Sequence, residues 1–229
     1  MIDHPLILLV LCPLAAYVIG STPFGVIIAR SKGIDLRKHG SGNVGATNCG
    51  RVCGRAWGYL CFLLDVSKGL LPVLLVGWLI RWRDAAPVPG LLRQTAWLLT
   101  GCGAIAGHVL SFWLKFRGGK GVATALGVVL GVWPYFTGAG LIALGIWIVV
   151  TLASRYVSVG SITAAVAFLP LFAAWNWPPT ALWPMGVFAA LMVLLILLRH
   201  RGNIARLLTG TENKIGRKKS PTLRAATPE

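Results

Sequence analysis

The chain has 229 residues, 56% of them hydrophobic and 12% charged, with a mean hydropathy of +0.74. A soluble domain carries about 25% charged residues, so this composition excludes one and points to an integral membrane protein. The 22 Lys and Arg against 6 Asp and Glu, a net charge of +16, sit in short loops between apolar runs, a pattern that argues against nucleic acid and for topology signals and attraction to anionic lipid or phosphate.

The first apolar run covers 5–29. No Lys or Arg precedes it, whereas Arg30 and Lys32 follow. A cleavable signal peptide has the reverse order, so a retained helix with its N-terminus outside is expected. A polar loop rich in Gly, Asn and Arg occupies about 30–55, and further apolar runs lie at about 56–80, 91–112, 121–153, 159–175 and 181–198. The run 121–153 is too long for one ordinary span, and its "WPYFTG" (Trp133–Gly138) has the Pro, Thr and Gly of a tight turn between two short helices.

Charge decides in favour of that hairpin. With seven spans, one side holds six cations in 30–55, three in 114–120, Arg155 and eight from Arg199 onward, while the other holds Arg81, Arg83 and Arg93. The positive-inside rule places the richer side in the cytoplasm. The expected fold is an all-α integral membrane protein with seven transmembrane helices, N-terminus outside and C-terminus cytoplasmic. Residues 1–212 form a single polytopic domain, and 213–229 a basic tail expected to be disordered. Every unusual polar stretch then falls on the cytoplasmic face.

One such stretch is "KFRGGKG" (Lys115–Gly121). It matches neither a Walker loop nor a dinucleotide fingerprint, since Leu114 and Thr124 stand where those motifs need glycine or a small residue. Physically it suits an anion: Gly118, Gly119 and Gly121 expose amides that can form a nest, the following helix aims its positive end there, and Lys120 adds a charge. The plainer reading is a basic anchor at a helix start. "GSGNVGATN" (Gly40–Asn48) is either turn chemistry or, with Arg51, a source of donors from Ser41 and Thr47. In "HRGNI", His200 and Asn203 share one helical face at i, i+3. His108, His39 and His4 compete with His200 as the functional histidine, and Lys68 with Asp65 at i−3 is read first as a buried ion pair.

Absences narrow the chemistry. Five cysteines show no disulfide framework, and the Cys49/Cys53 pair lacks a second ligand pair, so no zinc site is expected. Histidine is nowhere followed by Asp five residues on, which excludes the H-x₄-D arrangement of common glycerolipid acyltransferases. Six acidic residues cannot supply the carboxylate-rich metal site of a phosphatidyltransferase. The site is cationic and hydroxylic, and its ligands are expected to be phosphorylated. A transporter of organic phosphates would want the same groups, but places them near mid-membrane in paired broken helices; a purely structural anchor would not need polar loops on one face.

The segments "GSTPFGVIIA", "GIDLRKHGSGNVGATN", "LLDVSKG", "GHVLSFWLKFRGGKGVATALG", "SRYVS" and "HRGNIARLLTGTE" closely resemble the bacterial acyl-phosphate:glycerol-3-phosphate acyltransferases, the PlsY family. The resemblance covers all but the tail after about Lys214. It implies a seven-helix protein of the bacterial inner membrane with its site facing the cytoplasm. It implies transfer of a fatty acyl group from acyl phosphate to sn-glycerol 3-phosphate, the first acylation of phospholipid biosynthesis. The product is lysophosphatidate, acyl-CoA and acyl carrier protein are not donors, no cofactor is implied, and coupling to an enzyme that makes acyl phosphate is expected. By motif position Ser41, Thr47 and Arg51 match its first loop, Lys120 its glycine-loop lysine, Ser158 the hydroxyl after R-Y-V, and His200 and Asn203 its H-R-x-N pair. Glu212 matches the G-T-E glutamate, with a structural role as good a reading as a catalytic one. Ser41 and His200 would orient the attacking hydroxyl, with His200 or the substrate's phosphate as proton acceptor. The lack of a carboxylate placed to orient His200 favours substrate-assisted transfer over acylation of Ser41.

Overall fold

The computed structural model of the chain describes residues 4–81, 89–177 and 182–216. Among the described residues all regular structure is helical. The first span, Ile7–Arg30, is assembled from a π-helical turn (Ile7–Leu11), α1 (Cys12–Gly20) and α2 (Phe24–Arg30). Pro23 breaks it, because proline has no amide to donate and steers the residue before it away from helical geometry. Buried side chains satisfy the carbonyls freed at the break: Lys68 Nζ donates to Thr22 O at 2.8 Å and Ser111 Oγ to Ser21 O at 2.6 Å.

The polar stretch expected to be a loop is partly helical. A 3₁₀ turn (Leu36–Lys38) is followed by α3 (Ala46–Cys53). Ala46, Cys49, Val52 and Cys53 fall on one side of α3 and pack with Ile28, Leu36 and Cys61, so a short apolar stripe within the polar composition is enough to dock it.

Next come α4 (Arg55–Arg81), α5 (Leu91–Val109), α6 (Val122–Gly131), α7 (Thr137–Ser154), α8 (Val157–Trp175), α9 (Trp183–Arg199) and α10 (Arg201–Leu208). The run 121–153 is indeed two helices meeting at 132–136. Among the described residues five helical segments are long and apolar enough to cross a membrane, and six if α9 and α10, bent by 51°, count as one. The sequence led us to expect seven. The difference is α6, whose ten residues rise only about 15 Å against a bilayer core of about 30 Å. Arg83 of the expected outer loop and residues 217–229 of the expected tail lie outside the described residues.

With no water to drive helices together inside a bilayer, small residues bring them into contact. A Cβ on Gly103 or Gly107 of α5 would meet Pro13 O at 2.2 Å or Tyr17 O at 2.3 Å on α1. Likewise α6 is pressed onto α4, where a Cβ on Gly127 would meet Val66 O at 2.1 Å. Leu63, Leu71, Trp78, Leu141, Val149 and Leu152 stay exposed on the outer surface, as a lipid-facing belt requires. Inside, Phe136 is fully buried with its ring centroid 5.4 Å from Phe168, 5.1 Å from Phe172 and 6.0 Å from Phe188.

Candidate active site

Asn48 organises the first polar loop. Its Oδ1 accepts the Ser41 N–H at 2.8 Å, and its Nδ2 donates to His39 O at 3.0 Å and Leu36 O at 3.2 Å. That buried amide folds Gly40–Gly45 back over the start of α3 and turns Ser41, Thr47 and Arg51 toward one cavity.

The cavity has a volume of about 450 Å³ and two chemically distinct ends. Its polar end collects four helix starts: Gly45–Thr47 of α3, Gly121–Ala123 of α6, Val157–Ser158 of α8 and Gly202–Asn203 of α10. No side chain caps any of these four helices, so first-turn amides and the positive ends of helix dipoles remain for an anion. Lys120, Arg51, Arg199 and Arg206 line the same end. At the other end the wall is apolar, formed by Val129, Ala143, Leu144, Ala165, Phe168 and Met192.

The glycine corner differs from expectation. The Gly118 amide donates to Val109 O at 3.0 Å and the Gly119 amide to His108 O at 3.1 Å. Their carbonyls accept from Arg199 at 3.2 and 2.9 Å. These two glycines therefore form no open phosphate nest, and of the corner only Lys120 and Gly121 face the cavity. Glycine is needed because a Cβ on Gly118 would meet His108 O at 2.0 Å and one on Gly119 would meet His108 Nε2 at 2.3 Å. Gly121 is required for another reason, since at φ +83° it makes the left-handed turn that starts α6.

Glu212 is the hub of the polar end. It accepts hydrogen bonds from Asn203 Nδ2 at 2.6 Å, Ser158 Oγ at 3.0 Å and Arg206 Nε at 2.7 Å. Lys120 Nζ in turn donates to Asn203 Oδ1. Burial raises the Glu212 carboxyl, but the hydrogen bonds from Asn203, Arg206 and Ser158 outweigh it and hold the group below its ordinary range. Burial, with Arg206, Arg51 and Arg199 nearby, brings Lys120 down to about 8. Burial and the Lys120 charge push His200 down to about 4, so its imidazole is neutral. Its Nδ1 lies 2.8 Å from Ile196 O; a carbonyl only accepts, so Nδ1 carries the proton and Nε2 keeps a free lone pair.

Every sequence-expected residue except Gly118 and Gly119 thus reaches one cavity. Sequence reasoning did not single out Asn48, Arg199, Arg206 or the apolar wall. The pattern "ATN" beside "GSG" carries no spacing that marks Asn48 as the anchor.

Asp65 and His108 also line this cavity and meet Lys68, whose Nζ lies 2.7 Å from Asp65 Oδ1, with His108 Nδ1 3.6 Å from the same oxygen and all three side chains buried. Removing one partner of a buried pair leaves the other charge uncompensated. Lys68→Ala is expected to cost about 3–5 kcal/mol, read as a lowered unfolding midpoint in detergent, and Lys68→Ala/Asp65→Asn to recover most of it.

Comparison with known proteins gives a consistent picture. Residues 10–210 match a family model described as glycerol-3-phosphate acyltransferase. A glycerol-3-phosphate acyltransferase of Aquifex aeolicus is 45% identical over 87% of this chain and 95% of its own length. One from Thermosynechococcus vestitus is 40% identical over 92% and 96%. A crystal structure of PlsY, an integral membrane glycerol 3-phosphate acyltransferase, in its glycerol 3-phosphate form superposes with a TM-score of 0.77 at 39% identity, covering 90% of this chain and 94% of that one. A lysophosphatidic acid form of PlsY gives 0.75 at 38% identity, with the same coverage.

Proposed function

We propose that this chain, which belongs to the glycerol-3-phosphate acyltransferase family, transfers a fatty acyl group from acyl phosphate to sn-glycerol 3-phosphate. The products are 1-acyl-glycerol 3-phosphate and inorganic phosphate. The observation that carries this reading is the single cavity with a cationic end and an apolar end. It suits a donor with a phosphate head and a fatty tail, and an acceptor that is itself a phosphate.

In the reaction the acceptor's hydroxyl oxygen forms a bond to the acyl carbon, and the bond from that carbon to the phosphate oxygen breaks. Two anionic substrates must first be brought together. Lys120, Arg51, Arg206 and the uncapped helix starts offset that charge, and positioning of this kind is worth about 7–11 kcal/mol in favourable cases. Before the transfer His200 Nε2 accepts the hydroxyl's hydrogen bond and Ser41 Oγ–H donates to its oxygen, and together they aim its remaining lone pair. With its pKa near 4, His200 is a weak base, whereas a phosphate dianion has a pKa of about 6. The proton therefore passes to the departing phosphate, and no acyl-enzyme forms. Thr47 and Ser158 border the same anion site.

The chain crosses the inner membrane seven times, with α6 as the short crossing, the N-terminus outside and the C-terminus in the cytoplasm. The cavity's polar end faces the cytoplasm, where an enzyme making acyl phosphate can deliver the donor. An organic-phosphate transporter is the weaker reading, because the apolar end of the cavity runs into the buried Phe136–Phe168 pair rather than toward the far side.

Purified protein given radiolabelled glycerol 3-phosphate should form lysophosphatidate from palmitoyl phosphate and not from palmitoyl-CoA. Product from palmitoyl-CoA alone overturns the donor assignment. Uptake of label into sealed vesicles without acylation overturns the enzyme reading.

The charge on Lys120 sets a pH dependence. Below its pKa of about 8 it is a cation that holds the anionic acceptor; above that pH it is neutral. The kcat/KM for glycerol 3-phosphate should fall about tenfold per pH unit beyond this point, since a free-enzyme pKa governs kcat/KM. In Lys120→Arg, which stays charged, the alkaline limb should move up by more than one pH unit.

A further inference from the structure

The cavity wall follows four helices inward from the polar end. It is lined from Gly121 to Val129 on α6, from Trp147 to Gly140 on α7, from Val157 to Phe168 on α8 and from Arg199 to Met192 on α9. Phe168 is the innermost lining residue of α8, and behind it stands Phe136, fully buried and edge-on at 5.4 Å. Phe136 in turn contacts Phe172 and Phe188 and lines no part of the cavity. The apolar end is therefore closed by an aromatic plug.

Building on the acyl-phosphate reading, we propose that Phe168, backed by Phe136, is the stop against which the enzyme measures acyl chain length. From Ser158, at the polar end, to Phe168 is ten residues of α8, or about 15 Å. A zigzag of ~1.5 Å C–C bonds advances roughly 1.25 Å per carbon, so an extended chain reaches the plug after about 12 carbons. Allowing for the headgroup standing outside Ser158 and for a bend against the plug, the cavity takes saturated chains of about 12 to 16 carbons. Ala143, Ala164 and Ala165 keep the wall narrow in side chain and wide in bore along this path. Each is a position where a larger side chain shortens the ruler without touching the polar end.

The test is relative kcat/KM with acyl phosphates of 10, 12, 14, 16, 18 and 20 carbons, using full-length protein in lipid bicelles. For chains that fit, kcat/KM should vary little with length, because a methylene passing from the bicelle's acyl layer into the cavity gains no hydrophobic free energy, and the series should then break downward. Phe168→Ala should move the break to longer chains by about three carbons. Ala165→Leu should move it to shorter chains and raise the ratio of kcat/KM with the 10-carbon donor to that with the 16-carbon donor. If Phe168→Ala does not fold, Ala165→Leu and Ala143→Leu carry the test alone. A break at the same length in every folded variant overturns the ruler and means that the chain leaves sideways between helices into the bilayer. Inactivity of the wild-type protein with all six donors overturns the acyl-phosphate reading instead, so the two failures are distinguishable.

Discussion

Lys120→Ala is expected to lower kcat/KM for glycerol 3-phosphate by about 10²–10³, the usual cost of removing one preorganised donor from a reacting oxyanion. Lys120 projects from the corner that precedes α6 into a cavity end where four helix starts converge. It is the cation that Asn203 grips directly, so its ammonium is fixed rather than sampling solvent. The unfolding midpoint should change little, because a lysine with a lowered pKa contributes more to binding an anion than to holding the fold. A folded variant that keeps more than a third of its activity would show that the charge at this corner is only a topology signal.

The second large effect concerns Glu212. Its two oxygens accept from Asn203, Ser158 and Arg206, and Asn203 holds Lys120. Glu212→Ala should leave those donors unpaired and lower kcat about a hundredfold by disordering residues that touch substrate. The fold should lose about 1–3 kcal/mol, the cost of orphaned buried polar groups, with Arg206 partly repaid by water because it is 41% exposed. Glu212→Gln keeps an acceptor and should recover part of kcat. The pH sign follows from the lowered pKa: the stabilisation is fully present above the ordinary carboxylate range and is lost as pH falls through the folded value. Acid should therefore destabilise the wild type more than Glu212→Gln. Equal acid sensitivity in the two proteins would remove Glu212 from the hub.

Much of this site was legible as polar sequence interrupting apolar runs. "HRGNI" announced His200 and Asn203 on one face, and the turn in "WPYFTG" split a 33-residue apolar run correctly into α6 and α7. What stayed hidden has physical reasons. Glycines read alike whether they open an amide nest or let a backbone pass close to its neighbours, and Gly118, against the His108 carbonyl, and Gly119, against the His108 ring, prove to do the second. The α3 helix lay inside a composition that resembles a loop, with only a four-residue apolar stripe to betray it. Glu212 meets Ser158 across 54 residues of chain, a pairing that no local spacing encodes. Inside a bilayer, residues that line an acyl cavity and residues that face lipid are equally apolar, so Ala143, Ala165 and Phe168 could not be told from the lipid-facing belt by hydropathy.

With donor and acceptor held together in one cavity, the acyl group should pass straight from one to the other. Single-turnover mixing with palmitoyl phosphate labelled in its acyl chain distinguishes this from a two-step transfer. Direct passage predicts no labelled protein and no burst of inorganic phosphate until glycerol 3-phosphate is added, whereupon product and phosphate appear at one rate. A stoichiometric phosphate burst with label bound to the protein, abolished in Ser41→Ala, would contradict it and make Ser41 a nucleophile.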